Sequence, residues 1–403
     1  MINEKTNKET LATKKILWLA SWYPNTYEPV NGDFIQRHAK AVSAYISVDV
    51  IHVIQMGKDA PVKDESTQTQ TGALREFIYG FSFKRSGMGW LDKIRYNRYY
   101  QRFYVRVLLA YEKNYGRPDL LHVHVPMKAG LAAQHMKKIW QIPYIVSEQS
   151  SHYEKAAADS FYRRSFFFRH NTRAIFRGAK QVTNVSGNIG KILRNLFELK
   201  SVLTVHNMVD TDIFSPLPLP PPRIFRWLHV SSLKDQKNPE GMMEAFYQLD
   251  KIRQDWELVI VGPHTNNHTK LANLRGLSGK ISFTGELPYE AVALEMQKAS
   301  AFVLFSNHEN FSCAVVEALC MGLPVVASRT GGMDEAVNES NGKLVPSGNI
   351  EALTAAINDI MNHYEEYDSA LIAAAAKKKY SQKVIGEQFY SIYQQVLGGG
   401  GLT

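Results

Sequence analysis

At 403 residues the chain is long for one domain and suits two. Hydrophobic residues make up 45% and charged residues 21%, which excludes a disordered chain, and no run approaches the roughly 18 apolar residues of a membrane-spanning helix. The net charge of +9 is unevenly divided: residues 1–205 hold 31 Lys and Arg against 16 Asp and Glu, the remainder 16 against 22. The first half is therefore suited to face something anionic, and because no nucleic-acid reader motif appears, a membrane surface or a phosphate-linked acceptor is expected rather than nucleic acid.

The opening MINEKTNKETLATKK is polar and lacks the apolar core of a secretory signal. Short apolar runs then alternate with amphipathic stretches. Residues 16–20, 48–54, 120–125 and 144–146 read as buried parallel strands, and 34–45 and 127–140 as helices between them. Gly32 precedes the first of these helices, with Asp33 as the expected cap. Arg95, Arg98, Arg102 and Arg106 recur at helical spacing beside Tyr99, Phe103 and Val107, and residues 160–180 repeat the aromatic and basic mixture. This pattern fits either contact with an anionic membrane or a core-packed helix with solvated arginines. In DLLHVHVP, His122 and His124 share one face of a strand and His124 stands at its carboxyl edge; a buried, satisfied histidine is the plain alternative to a functional one. Glu148 and His152 follow the next strand.

Beyond 202–205, five prolines between Pro216 and Pro222 predict a stiff extended linker. A second strand–helix series begins after it, with strands at 225–230, 258–261, 281–283, 301–305 and 324–327. The whole is an α/β chain of two doubly wound domains: 1–205, a linker 206–222, 223–381, and a closing helix and tail at 382–403. In the loop after the first strand of this series, Asn238 and Pro239 read as the cap and first residue of a helix, which places Lys237 at its positive end. Cys313 and Cys320 fall in one helical stretch and read as packed thiols, so a cytoplasmic protein is expected. Asp210-Thr211-Asp212 invites a metal reading and 187–191 a phosphate-loop reading, but the latter lacks the required spacing and hydroxyl.

The most informative stretch is 306–335, SNHENFSCAVVEALCMGLPVVASRTGGMDE. An apolar strand ends in a polar loop with Glu309, a helix carries Glu317 with seven residues intervening, and a Gly-Leu-Pro break leads to a second strand and the Gly331-Gly332 turn. Ligands of parallel sheets bind beyond the carboxyl ends of the strands, beside helix N-termini, and the amides of Asn310, Phe311 and Ser312 are expected to open the helix here. The pattern E-x7-E followed by EA-x-x-x-G-x-PVVAS-x-x-GG resembles the donor-sugar site of glycosyltransferase family 4. The resemblance implies the GT-B fold: two Rossmann-like domains facing across a cleft, with the last helix crossing back to the first domain.

It also implies roles. Glu309 would bind donor-sugar hydroxyls, Glu317 the ribose hydroxyls, and the backbone amides of Asn310, Phe311 and Ser312 the diphosphate or sugar. Lys237 would neutralise the departing diphosphate. The family's usual arginine is replaced by Ser232, which supplies neither its charge nor its fork geometry. Gly32 would lie near the donor phosphates and His124 near the reacting sugar, while Glu148 and His152 fall on the acceptor side. The implied activity is a retaining hexosyltransferase, free of metal and of tightly bound cofactors, using a UDP-sugar (or a GDP-sugar) and a glycan or lipid-linked glycan acceptor in cell-surface polymer synthesis. It would be cytoplasmic and peripheral to the membrane, and the DxD-like triplet then falls in a linker pattern rather than a metal site. The alternatives are another enzyme of this fold, an epimerase or phosphorylase, or a non-catalytic nucleotide- or glycan-binding protein.

Overall fold

A computed structural model of the chain describes residues 14–57, 65–150, 152–154, 160–217 and 224–398. The chain divides into two compact units. One holds the described residues through Val185, then Ile189–His206 and those from Gln382 onward; the other holds Ser186–Asn188 and Asn207–Ser381.

The first unit is built on β1 (Ile16–Ala20), β2 (Val48–Gln55), β3 (Glu65–Thr71), β4 (Leu74–Phe81), β5 (Leu120–His124), β6 (Tyr144–Glu148), β7 (Gln181–Asn184) and β8 (Leu203–Thr204). The sheet order is β3-β4-β2-β1-β5-β6-β7-β8, parallel except where β3 pairs antiparallel with β4. That hairpin was not expected. β3, ESTQTQT, is polar and exposed along its whole length, so it carries no apolar alternation to read. It is joined to β4 by a two-residue turn in which Gly72 takes φ 59. Strand β5 ends one residue before the expected boundary because Val125 takes φ 59.

Alternation along the strands sorts this sheet's two faces. Leu17, Leu19, Leu121 and Val123 join a core cluster with Tyr100, Tyr104 and Leu108 of the helix Gly89–Tyr115 and with Met136 of the helix Ala129–Trp140. On that long helix Phe103 and Val107 are buried, while Arg95, Arg98, Arg102 and Arg106 are exposed. The opposite face carries Trp18, His122 and His124, which meet the C-terminal helix Gln382–Leu397. Trp18 Nε1 donates to Tyr393 Oη (3.1 Å), and Tyr393 Oη lies 2.8 Å from His122 Nδ1. His122 Nε2 is 2.7 Å from Ser147 Oγ, which meets Thr183 Oγ1. The helix expected at 382–396 thus belongs to the first unit, pinned by a polar chain that runs through four strands.

Four histidines of this unit, His38, His52, His122 and His124, are almost fully buried. Burial pushes His38 down to about 3, with Arg37 adding to the effect, and lowers the other three as well. All four are neutral at pH 7, whereas in the unfolded chain they titrate near 6.5. Below pH 6.5 the unfolded state therefore binds more protons, and stability falls with pH until the folded-state values are reached, near 3 for His38. Each such histidine removes up to about 1.4 kcal/mol per pH unit. Urea-unfolding midpoints measured from pH 7.5 to 5.5 are expected to drop steadily below 6.5; a flat profile contradicts the neutral, buried assignment.

The second unit is built on β9 (Phe225–Val230), β10 (Trp256–Val261), β11 (Ile281–Gly285), β12 (Ala301–Leu304), β13 (Val325–Ser328) and β14 (Gly342–Val345). All are parallel, in the order β11-β10-β9-β12-β13-β14. This is the doubly wound arrangement whose direction of winding reverses between β9 and β12. Residues 207–217, part of the expected linker, pack on this unit: Asn207 Nδ2 donates to the Phe311 carbonyl (2.8 Å) and the Phe214 ring packs tilted against that of Tyr289 at 4.8 Å. Pro218, Pro220, Pro221 and Pro222 lie outside the described residues.

Candidate active site

In the second unit the reversal point brings the loop after β9 and the loop after β12 side by side. The first is braced by His229, which donates from Nδ1 to the Val303 carbonyl (2.9 Å) and accepts at Nε2 from the Ser231 hydroxyl (2.7 Å). Burial holds His229 down to about 4, so this tautomer persists at pH 7. Ser231 Oγ in turn accepts from the Leu233 amide, and Leu233 takes φ 50, closing a tight turn. A short 3-10 turn, Asp235–Lys237, follows, and Asn238 caps the helix Pro239–Asp250 by accepting from the Gly241 amide, with Pro239 at its first turn as expected.

Three hydrogen bonds zip the two loops together: Asn307 N to the Gln236 carbonyl (2.8 Å), Asn307 Nδ2 to the Asp235 carbonyl (3.1 Å) and Gln236 Nε2 to the His308 carbonyl (2.8 Å). They seat Lys237 against Glu309, whose Oε2 lies 2.5 Å from Lys237 Nζ and accepts from Ser306 Oγ (3.2 Å). Glu309 Oε1 makes no hydrogen bond among the described residues. The two residues expected to act on opposite parts of a donor thus form one ion pair in this structure, with an open carboxylate oxygen beside it.

Glu309 and Glu317 are the buried carboxylates of the second unit among the described residues. Carboxylates are rarely buried without a purpose, because desolvating the charge is costly, and both stand in the E-x7-E pattern. The helix begins at Cys313 rather than at Asn310: Ser312 is its cap and accepts from the Val315 amide. Its first helical amides are therefore those of Cys313 and Ala314, with Asn310, Phe311 and Ser312 forming the approach to it. Serine is a favoured cap, so the offset was legible in the sequence and was missed. Gly331, at φ 56, packs its backbone onto the Glu309 carbonyl, and Gly332 N donates to the Asn310 carbonyl (2.8 Å). Ser232 is exposed in the turn after β9.

The first unit has its own reversal point, between β1 and β5, and there a cavity of about 490 Å³ opens. Glu148 and His152 both line it, as do Ser21, His52, Lys128 and Arg164. Glu148 is committed to the loop that follows it: Oε1 accepts from Gln149 N, Ser150 N and Ser150 Oγ (each 2.8 Å) and Oε2 from Tyr153 Oη (2.6 Å). His52 and Lys128 were not anticipated; a histidine inside an apolar strand and a lysine ahead of a helix give no pattern to detect. Lys128 and Val125 both take positive φ, and such strain in non-glycine residues concentrates at functional loops.

Gly32, not Asp33, is the cap residue of the helix Asp33–Ser43, at φ 72, and Asp33 instead pairs with Arg37 one turn on (3.2 Å). A Cβ on Gly32 would fall 2.6 Å from the Trp22 carbonyl carbon, so only glycine fits. His124 is fully enclosed, stacked on Trp18 at 3.9 Å, and presents no surface to a ligand. Its position facing the C-terminal helix, rather than its place at the strand edge, decides this. The Asp210 carboxylate accepts from the Asp212 amide as a turn-former (3.1 Å).

Two Rossmann-like α/β units, one with a buried acid and a lysine joined at its switch point, define a protein of the GT-B class. The profile described as glycosyl transferases group 1 matches residues 219–378, and that of glycosyltransferase family 4 matches 46–213. The chain belongs to the family 4, group 1 glycosyltransferases. A candidate teichuronic acid biosynthesis glycosyltransferase of Bacillus subtilis, TuaC, is 24% identical over 360 residues, covering 85% of this chain and 88% of its own. Among solved structures, sucrose-phosphate synthase from Thermosynechococcus elongatus superposes with a TM-score of 0.76 at 17% identity, covering 96% of this chain and 100% of its own. HepE of Anabaena, in complex with UDP, gives 0.68 at 17% identity, covering 95% and 100%.

Proposed function

We propose that the chain transfers a hexosyl group, with retention, from a nucleotide-diphosphate sugar bound by the second unit to a glycan or lipid-linked glycan bound by the first. The observation that carries this reading is the Lys237–Glu309 pair at the β9/β12 switch point. Glu309 Oε1 is an open acceptor for donor-sugar hydroxyls, Glu317 is assigned to the ribose, and the helix start at Cys313, approached through Asn310, Phe311 and Ser312, faces the diphosphate. As the anomeric bond breaks, positive charge develops on the sugar and negative charge on the diphosphate, and a fixed cation is worth most where that charge appears. Lys237 is that cation, and Ser232 leaves it without the family's arginine. The leaving phosphate takes the acceptor's proton on the same face of the sugar, so no general base is assigned, and the reaction runs without a metal.

A UDP-sugar is favoured, with a GDP-sugar second, consistent with the UDP of HepE. A role in cell-surface polymer synthesis is consistent with the relative in teichuronic acid biosynthesis. Gly32 is assigned to the donor phosphates, Glu148 and His152 to the acceptor, and His124 to supporting the strand edge. No helix among the described residues is long and apolar enough to cross a membrane. The exposed basic face of the helix Gly89–Tyr115, with exposed Phe166 and Phe167, suits contact with an anionic cytoplasmic membrane surface.

A thermal-shift screen tests the donor half. A matching UDP-, GDP- or ADP-sugar at about 100 times its dissociation constant adds roughly 2.7 kcal/mol, or about 5–10 °C for a unit of this size. A protein indifferent to every nucleotide sugar contradicts the reading. Nucleotide release that depends on acceptor separates a transferase from an epimerase or a non-catalytic binder.

A further inference from the structure

The second unit carries a cavity of about 440 Å³ along the helix Ser369–Tyr380, SALIAAAAKKKY. Leu319, Ala336, Ile372, Ala376 and Tyr380 form its buried apolar floor. Leu371 and Ala375 stand exposed on its rim, Leu371 by 68%. The opposite wall is the loop 338–341, which leads into the first residue of β14. The cavity therefore lies at the amino edge of the sheet, whereas Lys237 and Glu309 stand in loops at its carboxyl edge.

Charge is sorted along this helix. Glu365, Glu366 and Asp368 precede it, Lys377, Lys378 and Lys379 fill its last turn, and every residue between is uncharged. The helix dipole favours that order on any solvated helix, but it leaves the apolar floor beside Leu371 open to water, which is unfavourable until something covers it. Glu366 and Lys379 both line the cavity, and neither forms an ion pair among the described residues.

A surface that is acidic at one end, apolar in the middle and basic at the other is complementary to a reversed copy of itself, as a twofold interface requires. A twofold axis level with Ala373 sets Leu371 of each copy against Ala375 of the other, a large side chain over a small one. At 1.5 Å per residue, Asp368 and Lys379 lie about 7.5 Å and about 9 Å on either side of that level, so the acids of one copy reach the lysines of the other. A parallel arrangement would set acid on acid and lysine on lysine. The alanines let the two helices approach closely. We infer that the chain forms a homodimer in which two Ser369–Tyr380 helices pack antiparallel, each Leu371 covering the cavity of the other copy and Glu366 pairing with Lys379 at both ends. One helix pair with its flanking loops covers under roughly 1,200 Å² in total, so the association depends on concentration.

Sedimentation velocity on the full chain at low ionic strength, from about 5 to about 200 µM, tests it. The mass is expected to rise from one copy toward two across that range. Glu366→Lys and Lys379→Glu are each expected to weaken self-association about tenfold or more, because each turns both end contacts of the symmetric pair into like-charge ones. An equal mixture of the two is expected to associate about as well as the parent, since both end contacts then join opposite charges. Restoration on mixing also requires both variants to be folded. Leu371→Asp, at an exposed position, is expected to stay monomeric throughout. A parent that remains monomeric at the highest concentration overturns the proposal. So does a dimer that survives Leu371→Asp or either charge variant unchanged, or a mixture that associates no better than its two components.

Discussion

Glu309→Ala is expected to lower sugar transfer by about 10²-fold or more, chiefly in kcat, which is the scale of lost positioning of a reacting group. The carboxylate is held through one of its two oxygens. Lys237 Nζ and Ser306 Oγ fix Oε2, and Oε1 is left open toward a ligand. Removing it also strands the half-buried Lys237 charge without its partner, and breaking such a pair costs stability as well as geometry. Glu309→Gln separates the two effects, since it keeps the shape and one acceptor oxygen while cancelling the charge. Steady-state kinetics alongside thermal melts provide the check. Near-normal turnover in a folded Glu309→Ala protein would remove this residue from the site.

Gly331→Ala is expected to be comparably damaging although it touches no substrate. At φ 56 an L side chain is strained, and its Cβ would stand 1.7 Å from the Glu309 carbonyl oxygen and 2.7 Å from that of Asn310. The backbone cannot yield without moving the loop that carries Glu309. Left-handed strain and overpacking together suggest a loss of about 2–5 kcal/mol, accompanied by a fall in donor affinity. Gly348→Ala is the control: it shares the positive φ, 75, but meets nothing within 4 Å. It should cost only the strain term and leave the donor response intact. Equal melting temperatures for the two variants would show that the contact behind Gly331 does not hold the site.

Much of the architecture was legible in the chain because buried parallel strands announce themselves as short apolar runs. β1 and β9 fall on the expected residues, and the caps at Asn238 and Pro239 follow from local backbone chemistry. β3 was missed because an exposed polar edge strand has no hydrophobic signature. The helix start at Cys313 was misplaced by three residues although Ser312 is an ordinary cap residue, and the cap at Gly32 by one, where a left-handed backbone rather than a side chain sets it. The Lys237–Glu309 contact joins residues 72 apart, and only the strand order brings them together. No local pattern encodes it. His52, His229 and Lys128 were invisible for the same reason: each matters through what the sheet places beside it. His124 shows the converse, a residue conspicuous in sequence whose ring is enclosed once the last helix is in place.

The central claim is that the loops after β9 and β12 hold the donor, and hydrogen exchange followed by mass spectrometry at a saturating nucleotide sugar tests it most directly. Amides in 231–238 and 306–317 are predicted to gain the strongest protection. Saturable binding that leaves 306–317 exchanging as in the free protein would contradict the account.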